Sequence, residues 1–133
     1  MDTPQSVPVA HVLIANPVVN LRQGLRYVAS LLGCSVIEAG TREEVHAQLV
    51  TTPDIVIVDA ELGALDVCRR IKNDTLHSHT VILVTTFLTT PEDATPFLAA
   101  GAAACIERPI DMAVFRRAFE QALEAVTARR HQG

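Results

Sequence analysis

The stretch Pro53-Asp54-Ile55-Val56-Ile57-Val58-Asp59 decides the fold. Four consecutive β-branched apolar residues with no polar alternation suit a parallel strand covered on both faces, and the run stops abruptly at a carboxylate. Val81-Ile82-Leu83-Val84-Thr85 repeats the pattern and stops at a hydroxyl. Working outward, further runs at 11–15, 35–39 and 104–107 bring the expected strands to five.

Helical spacing fills the gaps between them. Leu21, Leu25, Val28 and Leu32 share one helix face, as do Val45 with Leu49, Val67 with Ile71, and Phe115, Phe119, Leu123 and Val126. Start and stop signals agree with this reading. Asn16 before Pro17, Thr41 with Glu44 three later, Thr90 before Pro91, and Asp111 occupy N-cap positions, while Gly33 and Gly101 occupy the position just past a helix end.

Strands alternating with single helices predict an α/β fold, (βα)5, with an open doubly wound parallel sheet of five strands. Right-handed crossovers place helices on both faces. A closed eight-unit barrel needs about 250 residues and does not fit in 133. In an open sheet the functional crevice lies beyond the carboxyl ends of the strands. Asn16, Asp59, Thr85 and Arg108 all fall at those ends.

Composition bounds the function. At 49% apolar and 20% charged residues the chain is of globular type, and its net charge of -4 gives no electrostatic case for nucleic acid or an anionic membrane. The residues divide into an N-terminal extension (1–10), one domain (11–127) and a C-terminal tail (128–133). Cys34, Cys68 and Cys105 are odd in number and widely spaced, which speaks against a disulfide framework or a zinc site. No run approaches the roughly 18 apolar residues of a membrane span and no leader pattern opens the chain, so a cytoplasmic protein is expected. His77 and His79 are expected in a solvent-exposed loop, and no histidine pair has i, i+4 metal spacing. Phosphate-loop, dinucleotide and nucleophile-elbow motifs are absent from the sequence.

Taken in order, Val12-Leu13-Ile14-Ala15-Asn16-Pro17, the Pro53 to Asp59 stretch, Val81-Ile82-Leu83-Val84-Thr85-Thr86 and Gly101-Ala102-Ala103-Ala104-Cys105-Ile106-Glu107-Arg108-Pro109-Ile110 resemble the motif blocks of response-regulator receiver domains, over residues 11 to 126. The resemblance implies a flavodoxin-like sheet of order 2-1-3-4-5. It also implies phosphoryl transfer from a histidine kinase to Asp59, with Thr85 contacting the phosphoryl group and a cis-proline at Pro109. The chain departs from that pattern where the chemistry sits. Asn16 and Pro17 replace the acidic pair that holds Mg²⁺, Arg108 replaces a lysine, Cys105 replaces the switch aromatic, and the segment from Asp59 to Cys68 is short.

Phosphoryl transfer to a carboxylate depends on positioning and on cations that balance the equatorial oxygens. Mg²⁺ is held by charged oxygen ligands, and Asn16 has one neutral carbonyl while Pro17 has no side-chain ligand. No cofactor or metal is therefore expected. Asp59, Asn16 and Glu61 are weak candidate ligands, Asp66 is a further nearby acid, and Mg²⁺ enters only if Asp59 still accepts phosphate. Asp59 is either a working acceptor or a relic carboxylate paired with Arg108.

Three functions follow from this. The first is a degenerate receiver acting as an interaction module through the face of the last two helices and strand 5. The second is an active receiver phosphorylated on Asp59. The third is a small-anion sensor built on Arg108. The partner in the first two is a signalling protein, a histidine kinase among the possibilities, with the chain itself a monomer or a weak homodimer.

Overall fold

A computed structural model describes residues 7–132. Its elements alternate strictly: β1 His11–Ala15, α1 Val19–Leu31, β2 Ser35–Ala39, α2 Arg42–Gln48, β3 Ile55–Asp59, α3 Ala64–Asn73, β4 Val81–Thr86, α4 Thr95–Ala99, β5 Ala104–Glu107 and α5 Met112–Gln132. The strands pair in parallel in the order β2-β1-β3-β4-β5, the expected doubly wound sheet.

The two-faced burial of β3 explains its unbroken apolar run. Ile55 and Ile57 enter a core with Val12, Ile14, Leu25, Ala29, Phe115 and Phe119, beneath α1 and α5. Val56 and Val58 point the other way, to Leu13, Val45, Val67, Cys68, Ile71 and Val84, beneath α2 and α3. Each side chain of the strand thus finds an apolar partner, which favours β-branched residues at every position. Phe115 and Phe119 stack with centroids 5.7 Å apart and hold α5 to the sheet.

The caps act as their chemistry predicts. Thr41 accepts the Glu44 N–H, Asp111 accepts those of Ala113 and Val114, and Asp93 accepts those of Thr89 and Thr90. Gly33 and Gly101 turn the chain out of α1 and α4 at φ 86° and 116°. The start of α1 differs from expectation. The helix begins at Val19 with Val18 as its N-cap, and Asn16 instead closes an Asx turn by accepting the Val18 N–H.

Three further differences concern the periphery. Of the N-terminal extension, residues 1–6 lie outside the described residues, while Val9 donates to Gly33 O and Ala10 is fully buried. At the other end α5 continues through 128–132, where the sequence suggests a tail. Arg129 donates to His79 O, Arg130 bonds Val9 O and Asp54, and Gly133 lies outside the described residues. His77, expected in solvent, is only 3% exposed. The turn Thr75–His77, capped by Asp74, folds the ring back so that Nε2 donates to Leu49 O at 2.7 Å. Asp74 Oδ2 lies 3.1 Å from Nδ1 but off the hydrogen-bond direction. His79 is exposed, as expected. No helix among the described residues is long and apolar enough to cross a membrane.

Candidate functional site

Parallel pairing brings the strand ends into one crevice. The register sets Asp59 beside Thr85, and β1, which pairs with β3, ends one residue before Asn16. Arg108 follows β5, its N–H bonded to Thr86 O and its peptide bond to Pro109 cis. Asn16, Asp59 and Thr85 are essentially buried, and the Arg108 side chain is 12% exposed.

Asp59 is saturated with donors. Its Oδ2 accepts from Thr85 Oγ1 at 2.8 Å, Arg108 Nη1 at 3.1 Å and Asn16 Nδ2 at 3.3 Å. Its Oδ1 accepts the Glu61 N–H at 2.9 Å, which caps the tight turn Ala60–Leu62 before Gly63 enters α3 at φ 76°. Burying a carboxylate is costly unless charge and hydrogen bonds compensate it, and here both do.

Arg108 spans the crevice mouth. Nη1 also lies 3.4 Å from Glu61 Oε1, and the guanidinium carbon sits 4.5 Å from the centre of the Phe87 ring. Glu61 is otherwise largely exposed, and Asp66, paired with Arg69 at 3.7 Å, is a surface carboxylate outside the crevice. Cys105 is half-buried with its thiol directed to Ala94 O, and burial pushes its pKa up, against thiolate chemistry.

Two participants escaped the sequence reading. Phe87, outside both apolar cores, is one. Arg22, on α1, donates to Asn16 O at 2.7 Å and pairs with Glu38 at 3.1 Å, while Arg26 takes the other Glu38 oxygen at 2.6 Å. The i, i+4 arginines opposite an acid near the end of β2 were the available signal.

Whether these residues suit Mg²⁺ is testable on the amide of Asn16. Its oxygen is committed to Val18 N–H at 2.8 Å, and its NH₂ faces the carboxylate. Flipping the amide would set oxygen against carboxylate oxygen and NH₂ against N–H, so the network determines the orientation. A donor pointed at Asp59, a proline next to it and a guanidinium on the same carboxylate oxygen do not make a divalent-cation site. Among the described residues, no cluster of three His, Cys, Asp or Glu side chains has metal-binding geometry.

An open parallel sheet with a buried carboxylate paired to a guanidinium at its switch point is the class that geometry defines. No protein-family profile and no curated protein matches the chain. Solved structures do match. One is chemotaxis response regulator CheY4 of Vibrio cholerae, with a TM-score of 0.78 and 20% identity over 85% of this chain and 98% of that one. Another is the signal receiver domain of a DNA-binding response regulator from Colwellia psychrerythraea (0.77, 20%, 86% and 98%). A third is the signal receiver domain of a signal transduction histidine kinase from Syntrophus aciditrophicus (0.76, 22%, 88% and 92%). The chain therefore has the flavodoxin-like fold of response-regulator receiver domains.

Proposed function

We propose that this chain is a degenerate receiver: a signalling module that works by protein contact, with Mg²⁺-dependent phosphorylation of Asp59 impaired. The observation that carries this is the state of the Asp59 carboxylate. Three donors converge on Oδ2, one of them a guanidinium, and the neighbouring amide turns its NH₂ to that oxygen. A nucleophile so engaged must break a charge-assisted bond before attack, and Asn16 and Pro17 supply no charge to replace the lost metal.

The contact surface proposed is the face of α4, β5 and α5. β5 is a sheet edge, and Leu98, Met112 and Val114 are partly exposed beside it. A shallow hollow of about 110 Å³ between β5 and α5, lined by Ala103, Ala104, Ala118, Ala122 and Ala125, adds apolar surface for a signalling partner.

Titration of Mg²⁺ with beryllofluoride, followed by amide shifts of Asn16, Asp59 and Thr85, tests the reading. No saturable shift is expected. Saturable shifts at millimolar concentration that vanish in Asp59→Asn would establish the active receiver instead, with a histidine kinase as partner and Thr85 at the phosphoryl group. The anion-sensor reading has less support, because two carboxylates already share Arg108 Nη1.

A further inference from the structure

The aromatic that would sit at position 105 in a receiver is absent, yet a ring does touch the pocket from elsewhere. Phe87 opens the connection from β4 to α4 with 63% of its surface exposed. What it has is Arg108, whose guanidinium lies 4.5 Å above the ring. Main-chain pairing brings the two within reach: Arg108 N–H donates to Thr86 O at 2.8 Å, so the residue before Phe87 and the backbone of Arg108 are held together, while the side-chain contacts set where the guanidinium lies. The far end of the connection is tied separately by Asp93, which accepts the Thr89 and Thr90 N–H groups. Phe87 and Leu88 thus lie between two anchors, with only a long bond from Thr86 Oγ1 to Phe87 O at 3.5 Å on the span itself.

The guanidinium is placed by charge. Nη1 sits between buried Asp59 at 3.1 Å and exposed Glu61 at 3.4 Å, and the planar group can hold the carboxylate at one edge while its face covers a ring. If Asp59 loses its charge, Glu61 alone attracts Arg108, from solvent, and the geometry that stacks it on Phe87 is no longer imposed. We infer that Arg108 couples the charge on Asp59 to the position of Phe87, making this exposed aromatic the reporter of the pocket's state in place of the ring that Cys105 displaces. The inference rests on the degenerate-receiver reading above and names its regulation: any event that neutralises Asp59 releases Phe87 at the rim of the α4 face.

Side-chain NMR of the full chain tests it. A guanidinium over a ring has ring-current-shifted Arg108 Nε–H and δ-proton signals, assigned by their loss in Phe87→Leu. In Asp59→Asn those shifts should fall by at least half, as the stacked geometry gives way to one set by Glu61 alone. Undiminished shifts in a cooperatively folded Asp59→Asn overturn the coupling. Phe87→Leu, at an exposed position, gives the reverse reading even if Asp59→Asn does not fold. Perturbed Thr85 and Asn16 amides are expected, and unperturbed ones overturn the inference. A saturable beryllofluoride response of the unmodified chain overturns the degenerate-receiver reading alone, because the Arg108 shifts still judge the coupling.

Discussion

The side-chain amide of Asn16 presents its nitrogen to Asp59 Oδ2 at 3.3 Å and its oxygen to the Val18 N–H at 2.8 Å. The side chain at position 16 therefore donates to the buried Asp59 carboxylate instead of sharing a cation with it.

An acid at position 16 should expose that difference. Asn16→Asp sets two carboxylates side by side and is expected to destabilise the metal-free chain by about 1 to 3 kcal/mol, the scale of one or two pK units of like-charge repulsion. Thermal unfolding with and without millimolar Mg²⁺ checks it. The unmodified chain should be indifferent to the metal, and the variant's midpoint should rise on its addition.

Removing the guanidinium tests the ion pair. Arg108→Ala leaves Asp59 buried without its cation and should cost about 3 kcal/mol in urea unfolding. Adding Asp59→Asn should recover more than half of that, since the stranded charge is the larger part of the penalty. Simple additivity of the two losses would show that the pair is not coupled.

Phe119→Ala removes the ring that stacks on Phe115 and should cost about 3 to 5 kcal/mol. The urea midpoint should fall while the slope stays constant, as expected for a core cavity with no change in the unfolded chain.

Acid should erode a specific contribution from Glu38. Arg26 and then Arg22 hold its carboxyl below the ordinary carboxylate value by hydrogen bonding. A depressed folded pKa stabilises the fold above the unfolded value of 4.5, and that stabilisation is lost as pH falls below it through the folded pKa. Unfolding midpoints between pH 6 and 3 should therefore fall less steeply for Glu38→Gln than for the unmodified chain. Asp74 and Asp93, lowered by backbone N–H groups of Leu76 and of Thr89, lose their contributions in the same direction.

The sheet was legible because its signals are local. The runs ending at Asp59 and Thr85 announce two-face burial, and Thr41, Asp111, Gly33 and Gly101 mark helix ends through bonds made within a few residues. Site positions were legible for the same reason, since a polar residue closing an apolar strand lies at the crevice of any open parallel sheet. His77 was misread because nothing near it in sequence names its partner. Leu49 O, 28 positions away, decides its burial.

By itself, then, the sequence determined the strand and helix succession and the placement of Asn16, Asp59, Thr85 and Arg108 at strand ends, because periodicity, caps and residue chemistry are properties of neighbours. The tertiary structure alone decided which way the Asn16 amide faces, that Asp59 takes three donors on one oxygen, and that Arg108 rests on Phe87. Those are orientations between residues tens of positions apart, set by sheet register and by competition for hydrogen-bond partners, which no local pattern carries.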